Sequence, residues 1–307
     1  MSQSDYPRDL IGYGATPPHA QWPNKARIAL SFVLNYEEGG ERSILHGDAE
    51  SEAFLSEMVA AQPLVGQRNI SMESIYEYGS RAGVWRLLRL FDTQKIPLTI
   101  FAVGMAAERH PEVIQAMHAA GHEICSHGYR WIDYQNMSIE DERAHMQRAI
   151  ECLTRIAGER PVGWYTGRNS VNTRQLVMEE GGFLYDSDSY DDDLPYWVQG
   201  PSKPHLVIPY TLDTNDMRFT QVQGFNSGEQ FYQYLKDAFD TLYEEGATAP
   251  KMLSIGMHCR LLGRPARIAA LKRFIEYTRQ HEHVWYARRA DIARHWHSTH
   301  PFRDVAS

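Results

Sequence analysis

Residues 27–35 read Arg27-Ile28-Ala29-Leu30-Ser31-Phe32-Val33-Leu34-Asn35, nearly continuous in apolar side chains. Successive side chains of a strand point to opposite faces, so a run without polar alternation predicts a strand buried on both. Further short apolar runs predict strands at 96–103, at Glu123-Ile124-Cys125-Ser126, and at 160–165, 182–188, 205–210, 251–257 and 284–286. Between them apolar residues recur at helical spacing over 73–94 (Ile75, Tyr78, Ala82, Trp85, Leu88), 111–120, 138–157, 173–180, 227–244, 265–281 and 291–297. Pro111 stands where a helix tolerates proline, and Ser138 with Asp141 suits a helix start.

Strands alternating with helices indicate an α/β fold with a largely parallel sheet. The pattern alone does not separate an open doubly wound sheet from a closed barrel. In both, reactive groups belong at the carboxyl ends of the strands. No internal repeat, low-complexity segment or linker interrupts the chain. The simplest division is one domain over 28–307, preceded by an irregular arm, 1–27, rich in Pro, Gly and His. The arm and a polar insertion at 41–74 are expected to pack against the site or a neighbouring subunit.

The net charge of −8 argues against nucleic acid or an anionic membrane as main partner, since either needs a basic face. No apolar run approaches the roughly 20 residues of a membrane span. The first ten residues are polar and carry no apolar core of a secretion signal, so a cytoplasmic location is expected. Cys125, Cys152 and Cys259 are odd in number and lack close pairing, which disfavours a disulfide framework or a cysteine zinc site.

Reactive side chains collect where the predicted strands end. Glu37 and Glu38 follow the first strand, His127 follows Ser126, and His258 follows the run 251–257. A lone histidine in such a place is more often a satisfied structural residue, and adjacent glutamates usually mark an exposed turn. Three such ends in one sheet shift the weight to function. Glu37 and Glu38 are neighbours whose side chains diverge, so they should hold different jobs. Arg168, in Trp164-Tyr165-Thr166-Gly167-Arg168, could clamp planar acceptor groups. Asp186 or Asp188 could orient a site group, while Asp191, Asp192 and Asp193 read as solvated loop acids. His295 and His297 point apart on a helix and are read as surface features.

The motifs carry a family resemblance. Gly121-His122-Glu123-Ile124-Cys125-Ser126-His127 resembles the second motif of the polysaccharide deacetylases, in which two histidines bind a divalent metal. His127 matches the first; Trp131 stands in place of the second, and its indole N–H donates but cannot coordinate. Tyr36-Glu37-Glu38-Gly39 resembles the segment that supplies that family's base and a metal-binding carboxylate. Met252 to His258 resembles the strand that delivers its general acid. Tyr185 to Asp193 resembles its Asp-rich motif, and Trp164 to Arg168 loosely its arginine-bearing segment.

With a metal aspartate replaced by Glu38 and a metal histidine by Trp131, the chain resembles the metal-independent allantoinases, a branch of the deacetylases. That resemblance implies a distorted (β/α) barrel and hydrolysis of the hydantoin ring of allantoin to allantoate in purine breakdown. It implies no metal, no cofactor, and a homo-oligomer, with a tetramer as one arrangement. In the expected roles Glu37 is the base on water and His258 the acid to the leaving nitrogen. His127, with Trp131 or a backbone N–H near Tyr165, holds the oxyanion. Glu38, Trp131, Tyr165 and Arg168 bind substrate. The rival readings are a metal-dependent polysaccharide or peptidoglycan N-deacetylase and a carbohydrate-binding module without catalysis.

Overall fold

At the centre of the molecule lies β1 (Ile28–Tyr36), buried at every position. The computed structural model describes residues 7–303; residues 1–6 of the arm and 304–307 of the domain lie outside the described residues. Along one edge β1 pairs in parallel with β8 (Lys251–His258), which sets Asn35 opposite His258. The other edge is shared. Its first part meets β9 (Val284–Tyr286), and Phe32 to Tyr36 meet β2 (Leu98–Ala102).

From β2 the parallel sheet continues through β3 (Glu123–Ser126), β4 (Gly163–Trp164), β5 (Tyr185–Asp186) and β7 (His205–Val207). The antiparallel edge strand β6 (Tyr196–Val198) completes it. The chain beyond β7 then returns to β8: Gly256 N–H donates to the Thr214 carbonyl at 3.0 Å, and Asn215 bridges Gly256 in parallel. The result is a mixed α/β fold whose sheet curls into a half-barrel. The strands expected at 160–165 and 182–188 shrink to two residues each. Their ladder ends where the Asp188 carboxylate takes the N–H groups of Thr166 and Gly167.

Both faces of β1 are packed. Ile28, Leu30, Phe32, Leu34 and Tyr36 face the helical layer, while Ala29 and Val33 face the barrel interior with Phe101, Tyr165 and Tyr210. The helical run expected over 73–94 is α1 (Ile70–Tyr78), a π turn (Gly79–Gly83) and α2 (Val84–Gln94). Asn69 caps α1 by accepting from Met72 N–H at 3.1 Å, so the insertion ends there. The insertion stands beside the strands' carboxyl ends, where Glu52, Phe54 and Pro63 line a cavity, while Tyr13 of the arm donates to the Pro195 carbonyl at 2.6 Å. Trp22 packs on Trp285 and Trp296, and its indole donates to the carbonyl of Lys251, the first residue of β8. Among the described residues no helix is long and apolar enough to cross a membrane.

Candidate active site

Three strand ends deliver the central cluster. Glu37 follows β1, His127 follows β3, and His258 ends β8. Glu37 Oε1 lies 3.4 Å from His127 Nε2 and 3.4 Å from His258 Nε2. All three side chains are buried, and all three line one cavity of about 540 Å³. A larger cleft of about 820 Å³, walled by Asp191 to Asp193, Asp213 and Asp237, contains none of the three. The smaller cavity is therefore the candidate active site.

Each member of the cluster is held from behind. His258 Nδ1–H donates to Asp216 Oδ1 at 2.6 Å, which leaves Nε2 facing Glu37. Asp216 is itself fixed, its Oδ2 accepting from the N–H groups of His258 and Leu262 at 2.8 and 2.9 Å. His127 is wedged against Phe101 and Tyr165, and its buried Nδ1 has no partner among the described residues. The short helix α3 (Cys259–Leu262) carries Arg260, fully buried. Its Nη2 donates to Glu37 Oε2 at 2.8 Å, Nη1 to Glu38 Oε1 at 3.4 Å, and Nε to the Leu55 carbonyl at 3.0 Å.

These contacts fix the charges. Burial alone would raise the Glu37 carboxyl. The positive charges of His258 and Arg260, with hydrogen bonds from both histidines, prevail and hold it well below the usual carboxylate range. His258 moves the other way: burial disfavours its cation, but Glu37 and Asp216 together raise it to about 9. At neutral pH the pair is carboxylate and imidazolium. Glu38 is raised, by burial first and by Glu37 as well, with Arg260 opposing.

Glu38 does not line the cavity, which corrects its expected place in substrate binding. It turns back against the helical layer, where a Cβ on Gly79 would collide with its carboxylate. Trp131, Tyr165 and Arg168 do line the cavity. The Arg168 guanidinium lies 3.9 Å over the Trp131 ring, and that of Arg260 approaches the same ring at 5.1 Å. A backbone oxyanion donor near Tyr165 is also corrected. Tyr165 N–H is taken by the Ser126 carbonyl at 2.9 Å, and those of Thr166 and Gly167 by Asp188. Asp188 thus positions the segment that carries Arg168, and burial with nearby Asp186 pushes its carboxyl up to about 7.

Asn35, Tyr210 and Glu52 in the wall, and Arg260 and Asp216 behind it, were not expected. Asn35 could have been found, as the inward neighbour of Glu37 on a buried strand. It donates to the Tyr210 hydroxyl at 3.2 Å and to the Met257 carbonyl at 3.0 Å. Arg260 carried the weaker clue of following His258 by two residues.

The divalent metal of the deacetylases finds no fitting donor set here. Glu38 is engaged by Arg260, Trp131 offers no lone pair, and a buried guanidinium already supplies the positive charge between the two glutamates. Among the described residues no three His, Cys, Asp or Glu side chains group as metal ligands would.

A half-barrel with a carboxylate and two histidines at its strand ends defines a hydrolase of the deacetylase superfamily, and comparison with known proteins places the chain there. The polysaccharide deacetylase family model matches residues 68–182. A Schizosaccharomyces pombe protein named for polysaccharide deacetylase is 45% identical over 96% of this chain and 98% of its own. The chain belongs to the polysaccharide deacetylase family. Within it, the crystal structure of PuuE allantoinase is 76% identical, covers 97% of this chain and all 100% of that one, and superposes with a TM-score of 0.96. A structure from Pseudomonas aeruginosa PAO1, named a probable polysaccharide deacetylase, is also 76% identical over 97% of this chain and 100% of its own, with a TM-score of 0.95.

Proposed function

We propose that this protein hydrolyses the hydantoin ring of allantoin to allantoate, a step of purine breakdown, without a metal ion. The observation that carries the reading is the ionised Glu37 set between two histidines, with a buried arginine behind it. The high identity to a structure named PuuE allantoinase supports the choice of substrate.

In the reaction, Glu37 Oε1 accepts a proton from a water as its oxygen bonds to the ring amide carbonyl next to the ureido-bearing carbon. The carbonyl becomes a tetrahedral oxyanion, and its bond to the ring nitrogen then breaks. His258 Nε2 gives its proton to the departing nitrogen, and the product carboxylic acid ionises. The oxyanion needs donors in a site shielded from water. His127 Nε2 and the Trp131 indole are the candidates left once the backbone N–H groups of 165–167 are spoken for. An imide-like ring carbonyl is more electron-poor than an acetamide and needs less electrophilic help. Arg260 makes no direct step. It keeps Glu37 ionised and fixes its second oxygen.

The rival is a metal-dependent N-deacetylase acting on polysaccharide or peptidoglycan. Purified protein incubated with allantoin and, in parallel, with chitin oligomers separates the readings: allantoate is expected and free acetate is not. Acetate release without allantoate would reverse the assignment. The same proposal places the enzyme in the cytoplasm as a homo-oligomer, a tetramer being the arrangement to look for by light scattering.

A further inference from the structure

The cavity has a second polar centre, separate from Glu37 and supplied by the insertion. Glu52 is 5% exposed and lines the cavity wall. Its Oε1 is spent on the loop backbone, accepting from Ala53 N–H at 2.9 Å and Phe54 N–H at 2.8 Å. Its Oε2 is buried and accepts nothing among the described residues. The nearest cation, Arg168 Nη1, stands 3.8 Å away, an ion-pair distance too long for a hydrogen bond. Arg168 is held in place by its face, stacked over Trp131 at 3.9 Å and over Phe54 at 4.9 Å. Among the described residues its guanidinium donates no hydrogen bond, so its edge keeps its donors for another acceptor.

An orphaned carboxylate oxygen beside an uncommitted guanidinium fork is a complementary pair looking for one planar group. That group must present N–H donors to Glu52 and a carbonyl to Arg168. A carboxylate or phosphate ligand would be repelled by Glu52, and an ammonium by Arg168. We propose that Glu52 and Arg168 form the subsite for the substrate's ureido arm, –NH–CO–NH2, and so determine specificity for a ureido-substituted ring. The arm's N–H groups donate to Glu52 Oε2 and its carbonyl accepts from Arg168. This rests on the allantoin reading and deepens it. A ring lacking the arm would meet the same Glu37, His127 and His258 but leave Glu52 unsatisfied.

The test measures binding apart from turnover. In a Glu37→Gln background, which removes the base, calorimetry gives the Kd of allantoin and of unsubstituted hydantoin. Adding Glu52→Gln, which keeps an oxygen for the loop N–H groups, should weaken allantoin by about tenfold to a hundredfold, the usual loss for hydrogen bonds to a charged group. Hydantoin should change by less than about twofold, since it makes none of those bonds. Arg168→Gln should show the same selective loss. If both ligands weaken together, Glu52 only supports the wall and the subsite is wrong. If neither changes, or if allantoin does not bind at all, it is wrong too. Selective weakening together with no allantoate formed by the unmutated protein would keep the subsite and reject the reaction instead.

Discussion

Glu37 and His258 lie 3.4 Å apart with opposite shifts, one held low and the other raised to about 9. The productive state therefore dominates across the neutral range. His258 can donate only while protonated, so kcat/KM should fall as pH rises through about 9. Asp216 is one source of that high value. Asp216→Asn removes its charge, and the basic limb should move to lower pH by about one unit or more. A pH profile checks it, and an unmoved limb would assign it to another group. Arg260 poses a different case. Arg260→Met would strand two buried carboxylates, a change that typically costs about 3–5 kcal/mol. Chemical denaturation should show that loss, with Glu37 taking up a proton more readily. Legibility at this scale followed position along strands. Glu37, His127 and His258 end apolar runs, where a reactive group stands out. Asp216 lies in Thr214-Asn215-Asp216, which reads as a turn, and Arg260 is buried only because carboxylates far off in sequence demand a partner. Glu52 lies in the insertion expected to pack near the site, but nothing in that polar segment singles out this glutamate from its acidic neighbours.

Elements bring these residues into register through a few close approaches. The π turn at Gly79–Gly83 lies between α1 and α2, and its two glycines face the site's support. Gly79 lets Glu38 fold back, and Gly83 lets the helix press on the Cys259 carbonyl at the start of α3. A helix with its hydrogen-bond ladder shifted by one residue is a known device at functional sites. Gly83→Ala would drive a methyl into that backbone carbonyl, where no flexible side chain can yield. We expect a lower Tm, by an amount matching about 1–3 kcal/mol, and a loss of activity as α3 displaces Arg260. Full activity at unchanged Tm would show that the approach is not needed. Most elements could be read beforehand, because β1 and β8 are long and apolar and the helices after Pro111 and Ser138 carry start signals. The π turn could not, since its sequence continues the helical spacing on both sides. Nor could the two-residue length of β4 and β5, which depends on Asp188 capturing N–H groups from a neighbouring segment. The spacing also left barrel and open sheet undivided; closure comes from Thr214 and Asn215 meeting Gly256, a contact between irregular chain and strand.

For the whole molecule, the question is whether folding or catalysis draws on a bound metal. A divalent ion that bound only the folded state would raise stability by RT ln(1 + [metal]/Kd), about 2.7 kcal/mol at a hundredfold excess over Kd. Catalytic zinc normally has three protein ligands. Here the place of the third is Trp131, Glu38 is engaged by Arg260, and Glu37 is anchored through its second oxygen. An entering ion would have to displace or face a guanidinium that burial disfavours but that the two glutamates hold protonated. The internal cation offsets the carboxylates without any dependence on solution conditions. Exhaustive chelation should therefore leave both Tm and allantoin hydrolysis unchanged, and added zinc should raise neither. Trp131→His restores one imidazole but leaves Arg260 in place, so it should increase zinc affinity only weakly while lowering turnover by removing the face on which Arg168 rests. If chelation abolished activity and lowered Tm, and zinc restored both, the metal-free mechanism would be wrong. The deacetylase reading would then take its place.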